Sequence, residues 1–318
     1  MQRIVSVLFV SLVLAGAWPC PAWANNFAFT TIDVPGANWT QASGINDAGQ
    51  IVGRFSDGTR ILSFLLSEGT FTTIDFPGAD RTEVTGINDA GQIVGSFGSF
   101  DVVGNFIGHS FLLSEGTFTT IDDFPGADRT EVYGINDAGQ IVGQAWGSGG
   151  HGFLLSEGTF TSIDVPGADS TQAYGINDAG QIVGSFQGDT GWPSHGFLLS
   201  DGTFTTFDVP DSGRFATYLQ GINDAGQIVG WFWEWYRADG FLLSDGTFTT
   251  IVGPYPSSSF IAYGINDAGQ IVGSFDGHGF VGAVPEPATL IVLGTGLVGL
   301  LGRGRQRQPL RPPPNRQP

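Results

Sequence analysis

The chain has 318 residues, with 30 Asp and Glu against 12 Arg, no Lys, and a formal net charge of -18. Six arginines (Arg54, Arg60, Arg81, Arg129, Arg214 and Arg237) and 29 acids fall in the central body, which therefore carries 6 minus 29, or -23. A surface of that sign repels nucleic acid and anionic lipid, and it favours solubility, divalent cations or basic partners.

Met1-Gln2-Arg3 leads into an apolar run from Ile4 to Trp18, followed by Ala22-Trp23-Ala24, the small-residue pattern that signal peptidase reads. Residues 1–24 are expected to be a signal peptide, cut after Ala24. The single cysteine, Cys20, precedes that cut, and Pro19 spoils a lipoprotein cleavage box in front of it. The mature chain should carry no disulfide and must be stabilised by core burial.

From Gly44 onward the decapeptide Gly-Ile-Asn-Asp-Ala-Gly-Gln-Ile-Val-Gly occurs six times unchanged, starting at Gly44, Gly86, Gly134, Gly175, Gly221 and Gly264. The spacings are 42, 48, 41, 46 and 43 residues. A period of this size marks a repeat architecture in which one unit cannot bury its own apolar faces and must stack on its neighbours. Each unit divides into four short strands. The first ends in Gly-Ile-Asn, and the second runs Gln-Ile-Val-Gly into pairs such as Ser96-Phe97 or Trp231-Phe232. The third is His-Gly-Phe-Leu-Leu-Ser in its commonest form, and Glu-Gly or Asp-Gly turns it into the fourth, Thr-Phe-Thr-Thr-Ile-Asp. Gly-bounded runs of Phe, Ile, Val and Thr without a 3.6-residue period read as strands. Asn-Asp-Ala-Gly, between the first two, suits a type I turn closed by a left-handed glycine, so its Asn and Asp are read as turn chemistry.

The array is split across its ends. The last repeat stops after its third strand, His278-Gly279-Phe280-Val281, while an orphan fourth strand, Phe29-Thr30-Thr31-Ile32-Asp33, opens the mature chain. A closed ring gains a clasp from such a split and leaves no free edge between first and last units. Residues 26–283 are therefore expected to form an all-β, six-bladed β-propeller of 24 strands, with the N-terminal strand completing the last blade. An open β-solenoid is the alternative. With strands ordered from the axis outward, the Asn-Asp-Ala-Gly and Ser-Glu-Gly turns share one face and the variable connections share the other. Variable loops on a rigid scaffold are where binding is grafted. They hold Trp146, Trp192, Trp233 and Trp235, whose flat faces suit sugar rings, although the same residues could simply cover blade edges.

His109, His151, His195 and His278 occupy one repeat position, replaced by Leu62 and Asp239 in two blades. That strand lies too far out for the four to converge on one metal ion, so the imidazoles are read as structural partners of a repeated Asp. The acids Asp33, Asp75, Asp122, Asp164 and Asp208 end the fourth strands, and Val252 stands there in the fifth repeat. No cofactor is implied. Calcium is the one metal the acids could serve, yet no loop has calcium-ligand spacing. No catalytic motif occurs, and the Gly-x-Gly-x-x-Gly at Gly294, Gly296 and Gly299 sits in an apolar tail without the strand and helix that motif needs. A propeller hydrolase would instead need two carboxylates over the axial opening.

The tail carries the second signal. Pro285-Glu286-Pro287 precedes an uncharged run, Ile291 to Gly302, and then Arg303, Arg305 and Arg307. From Ala288 to Leu301 the apolar stretch would span roughly 21 Å as a helix, short of a hydrocarbon core of roughly 30 Å. Arginines beyond it predict a cytoplasmic C-terminus behind an exported body. Residues 284–307 in this order resemble the PEP-CTERM sorting signal. That resemblance implies transient membrane insertion, removal by an exosortase-type processing protease, and delivery to the outer envelope or extracellular matrix; a simple C-terminal anchor is the alternative. Residues 308–318 are a Pro-rich extension expected to be disordered. The body resembles the HAF-type bacterial extracellular repeat family, through His109-Ser110-Phe111, His151-Gly152-Phe153, His195-Gly196-Phe197 and His278-Gly279-Phe280 together with the decapeptide. It implies an extracellular address and no particular chemistry. The sequence thus points to a monomeric, non-enzymatic scaffold for exopolysaccharide or another envelope polymer, with a polymer-cleaving propeller or a passive spacer as alternatives.

Overall fold

The computed structural model describes residues 27–100, 106–147, 149–188, 193–210, 216–234, 236–253 and 259–283. The signal peptide with its Ala24 cut, Trp192, Trp235, the Pro285-Glu286-Pro287 motif, the apolar segment after it and the Pro-rich tail lie outside those residues. Within them every regular element is a strand, and the strands form six antiparallel four-stranded sheets.

Five sheets take four consecutive strands in order, as in Trp39–Ile45, Ile51–Ser56, Ile61–Ser67 and Thr70–Ile74. In the sixth, Phe260–Ile265, Gln270–Phe275 and His278–Ala283 are completed by Ala28–Ile32 from the other end of the chain. Phe29 pairs with Gly282 and Ile32 with Gly279. Phe29 also sets its ring against Phe260 and Phe280, with centroids 5.1 and 5.4 Å apart. The closed propeller with an N-terminal clasp is therefore the fold, and the open solenoid is excluded.

Local chemistry explains both repeated turns. Gly49 N–H donates to Asn46 C=O at 3.0 Å, and Gly49 adopts a φ of 73°, the conformation that lets a four-residue turn rejoin the ladder. At the outer hairpins Glu68 and Gly69 both have positive φ, 50° and 75°, which is the two-residue type I′ turn that matches strand twist.

The core is six apolar clusters, each shared between neighbouring blades. Phe153, Val132, Ile135 and Ile141 of the third blade, for example, enclose Val94 of the second. Phe64, Phe111, Phe153, Phe197, Phe241 and Phe280 hold one repeat position and are at most 1% exposed. Burying each such ring is worth about 1.5–3 kcal/mol. The ring fits because the strand beside it offers a glycine: a Cβ on Gly53 would lie 2.8 Å from the Phe64 ring and 2.0 Å from the Gln41 carbonyl oxygen.

The six inner strands line the axis, and each carries a β-bulge at one position: Ser43, Thr85, Tyr133, Tyr174, Gln220 and Tyr263. A bulge re-aims its side chain. Here it leaves positions 41 and 43, and their equivalents, half-exposed along the channel, while Thr40 and Ala42 face the blade interior.

Candidate functional site

The two ends of the axial channel differ sharply in what they do with the repeat. At the turn end the six copies bond to one another. Asn46 Nδ2 donates to the Asn88 carbonyl at 3.1 Å, and Asn88, Asn136, Asn177 and Asn223 repeat that bond to the next blade. Asn266 then donates to the Asn46 carbonyl at 3.0 Å and closes the circle. A second circle runs outside it, in which the amide of Asp47 donates to Asp89 Oδ1 at 2.8 Å and so on round to the Asp267 amide and Asp47 Oδ1 at 2.8 Å. Each Asn also bonds its own blade's Gln, as Asn136 Nδ2 does to Gln140 Oε1 at 2.9 Å. Inside this ring the inner strands approach so closely that a Cβ on Gly44 would lie 3.4 Å from the Gly86 Cα. The six turns are thus an interlocked lid, and the turn reading of Asn and Asp covers only half of their role.

The carboxylates in that circle are crowded. Burial, opposed in part by the bond from the Asp89 amide and reinforced by the charges of Asp178, Asp89 and Asp47, pushes the Asp137 carboxyl up from its ordinary value. Burial does the same to Asp267, with Asp47, Asp224 and Asp89 adding to it. Every carboxylate in the circle is already an acceptor for a backbone amide, and among the described residues no group of three or more His, Cys, Asp or Glu is placed to hold a metal ion.

At the opposite end, where the variable connections lie, the sixfold symmetry is broken by side chains on the strands themselves. A cavity of about 270 Å³ is lined by Arg54, Glu83, Glu131, Tyr133, Tyr174 and Tyr263, among others. Arg54 and Glu83 meet at 2.7 Å, Arg54 also donates to Gln41 Oε1 at 3.2 Å, and Arg81 bonds the same Glu83 oxygen. In the next blade Arg129 meets Glu131 Oε1 at 2.9 Å. The other oxygen, Oε2, accepts from the Tyr133 hydroxyl at 2.9 Å and from Trp146 Nε1 at 3.2 Å. The guanidinium of Arg129 lies 5.5 Å from the Trp146 ring, within cation–π range. Tyr174 donates to Gln172 Oε1 at 2.7 Å, and its ring is 5.2 Å from Tyr133.

Burial, reinforced by the charge of Glu131, holds the Tyr133 hydroxyl well above the ordinary phenol range, and burial raises Tyr174 and Tyr263 as well. All three remain neutral hydrogen-bonding groups. Three of the six arginines of the body stand here against two glutamates, a local balance of three minus two in a body of -23. The mouth is polar, aromatic and nearly neutral.

Trp146 and Trp233 occupy one repeat position, at the variable-loop ends of their strands. Trp146 is 40% exposed. Trp233 is half-buried, edge-on to Trp231 at 6.0 Å, and Trp231 in turn stacks on Tyr218 at 4.1 Å. The histidines lie on the third strands, away from the axis. Nδ1 of His151, His195 and His278 is 2.9, 2.9 and 2.8 Å from Asp164, Asp208 and Asp33, the last of these across the clasp. His109 sets its ring against Phe97 at 5.6 Å. Where the first blade has Leu62, Arg60 reaches Asp75 instead, with both carboxylate oxygens within 2.8 Å. Where the fifth has Asp239, the acid is paired with Arg237 at 3.0 Å.

Attention to the loops alone passed over the axial residues. The available signal was variation inside otherwise constant strands: the residue three before each decapeptide is Gln41, Glu83, Glu131, Gln172, Tyr218 or Ile261.

Residues 283–306 match the PEP-CTERM protein-sorting motif. The motif is a signal for exosortase processing and marks an exported protein of the cell envelope or extracellular space. No curated protein sequence matches the chain. Among solved structures, TolB from Acinetobacter baumannii is 17% identical with a TM-score of 0.50, over 66% of this chain and 53% of that one. A catalytically inactive virginiamycin B lyase from Staphylococcus aureus with quinupristin is 13% identical with a TM-score of 0.48, over 81% and 99%. A gluconolactonase from Xanthomonas campestris is 14% identical with a TM-score of 0.49, over 78% and 87%. At these identities the likeness reaches no further than the fold.

Proposed function

We propose that this protein is a non-enzymatic scaffold, delivered to the outer envelope or extracellular matrix, that holds a saccharide of an extracellular polymer at the open mouth of its channel. One observation carries the reading: the copies are identical where they bond to each other and different where they surround the 270 Å³ cavity, so the mouth is where the repeat serves something other than its own closure. Pre-organised hydroxyls, carboxylates and guanidiniums beside an exposed indole are the groups that recognise sugar hydroxyls and ring faces. The resemblance to HAF-type extracellular repeats fits the same address. So does a C-terminal segment that crosses the cytoplasmic membrane in transit and is removed by an exosortase-type protease.

Glu83 and Glu131 come from neighbouring blades and line one cavity, which is the arrangement a polymer-cleaving propeller would require. Both oxygens of Glu131 and one oxygen of Glu83, however, are committed to arginine, Trp and Tyr donors, which suits anchoring better than proton exchange with a substrate. Residues 25–283 contain all the strands and form the material for a glycan array. Binding to a subset of polysaccharides is expected, weakened at least tenfold by Arg54→Ser, the residue found at that position in three other blades, and by Trp146→Ala and Trp233→Ala. An array without signal would sink the reading, and release of reducing ends from a bound polymer would replace it with the enzyme.

A further inference from the structure

The second and third blades share more than the decapeptide. The nonapeptide Phe-Pro-Gly-Ala-Asp-Arg-Thr-Glu-Val occurs at 76–84 and again at 124–132, whereas the first and fourth blades begin with Val34-Pro35-Gly36-Ala37 and Val165-Pro166-Gly167-Ala168. Both copies fold alike. The Phe76 amide donates to Thr82 Oγ1 at 2.9 Å and the Phe124 amide to Thr130 Oγ1 at 2.8 Å, and Gly78 and Gly126 have φ of 82° and 84°. Each copy supplies an Arg and a Glu to the axial mouth and, at its other end, a phenylalanine to a pocket on the rim.

Those rim pockets are equivalent. One, of about 290 Å³, lies between Phe76 to Ala79 and Phe97, Ile107 and His109. The other, of about 210 Å³, lies between Phe124 to Ala127 and Trp146, Gly149 and His151. Neither is lined by a charged Asp, Glu or Arg. Ile107 and Trp146, 53% and 40% exposed, are two of the four large hydrophobic side chains exposed among the described residues, and each stands at one of these pockets. In the third blade Asp164 holds His151 Nδ1, and Nε2 lies beside Gly149, where a Cβ would be 3.4 Å away. That leaves one fixed polar atom at the edge of an aromatic wall.

From this pairing we infer that the second and third blades carry two equivalent subsites outside the axial cavity, the one on the third blade sharing Trp146 with the axial mouth, that engage two separate uncharged pyranose rings of one glycan chain. The inference rests on the glycan-binding reading and adds where the chain runs and what charge it bears. Each pocket is at or below the small end of ligand-site volumes, about 300 Å³, which suits a single ring. An apolar wall takes the ring face, while imidazole and loop carbonyls take its hydroxyls. The uncharged lining and the -23 body favour a neutral chain over a polyanionic one. Two tethered subsites on one polymer strengthen each other through effective concentration, so losing either lowers polymer binding by about 100-fold.

The test uses Phe76→Val and Phe124→Val, singly and together, because valine already stands at that position in the first and fourth blades and should leave the fold intact. Calorimetry with cellohexaose, mannohexaose and N-acetylchitohexaose as neutral probes, and hexamannuronate as the anionic one, reads affinity. At least one neutral probe should bind the wild type, each single variant should weaken it by about 100-fold, and the double variant should leave only axial binding. Hexamannuronate should give no heat. A double variant with unchanged thermal melting and unchanged affinity overturns the inference, as does binding of hexamannuronate alone or of no probe. If Arg54→Ser abolishes binding while the double variant does not, the rim subsites fail and the axial reading stands; the reverse result removes the axial reading instead.

Discussion

Alanine at Asn136 and at Asn266 would test ring closure in solution. Asn136 is 4% exposed; its Nδ2 donates to the buried Asn177 carbonyl and to Gln140 Oε1, and its Oδ1 accepts from the Gln140 amide. Alanine removes one of the two bonds that the Asn177 carbonyl accepts, the Gly180 amide keeping the other, a loss of about 1–1.5 kcal/mol, while half-buried Gln140 recovers part of its bonding from water. The sum with the Gln140 bonds is about 2–3 kcal/mol, or roughly 4–12 °C in Tm for a domain of this size. Asn266 has the same burial and the same three bonds, but its Nδ2 spans the junction between last and first blades to the Asn46 carbonyl. In a closed ring Asn266→Ala must therefore cost as much as Asn136→Ala. In an opened stack the Asn46 carbonyl would already be hydrated, and only the bonds to Gln270 would be lost, about 1 kcal/mol. Urea unfolding followed by tryptophan fluorescence measures both, and a shift for Asn266→Ala less than half that for Asn136→Ala would refute the closure argument.

Glycine positions should separate into two groups: Gly184→Ala puts a Cβ 1.9 Å from the Gln172 carbonyl oxygen and 2.7 Å from the Phe197 ring, and should cost more than about 3 kcal/mol and most of the soluble yield. Gly49→Ala meets nothing within 4 Å, so only the left-handed backbone resists it, by about 1–2 kcal/mol. Glu115 holds a φ of 50° in its hairpin, and Glu115→Asn should raise stability by about 0.5–1 kcal/mol in a thermal melt, since Asn tolerates that conformation better. Asp137 has a raised folded-state pKa, so its ionised form costs stability at neutral pH, and the cost disappears as pH falls below the ordinary value of 3.8. Asp137→Asn keeps an oxygen for the Asp89 amide and should stabilise the protein at pH 7 by a few tenths of a kcal/mol after solvent screening. That gain should vanish at about pH 3 and shrink only in part in about 1 M salt, which screens the neighbouring carboxylates and leaves the cost of burial; a gain that persists at the low pH would mean the charge is not its source.

The closed ring was legible because topology leaves its mark at the chain ends: one repeat lacks its fourth strand and an orphan copy sits at the start. The turns were legible because Asn-Asp-Ala-Gly is local chemistry. What the sequence did not disclose is why ten consecutive residues are invariant, since a turn needs only a few of them. Gly44 touches Gly86, Asn46 bonds to Asn88, and the Asp47 amide bonds to Asp89, so each copy is the environment of the next and one change would be felt as a mismatch by two neighbours. Gln50 completes the set by bonding Asn46 and Ser67, which ties the inner turn to the outer hairpin. Contacts between copies cannot be read from one copy, and that is where the local reading stopped.

The same logic locates function. A residue that meets only its own copies is constrained to be the same in every blade, and a residue that meets a ligand placed off the axis cannot be, because a ligand without sixfold symmetry presents a different group to each blade. The bulged position therefore carries Ser43, Thr85, Tyr133, Tyr174, Gln220 and Tyr263, one step along the chain from six identical glycines. Every blade has the same bulge at that position, so the strand itself does not require the difference. The duplicated nonapeptide is the intermediate case, in which two blades agree with each other and differ from the rest. A polymer whose consecutive units repeat would impose that pattern on two neighbouring blades and leave the others free.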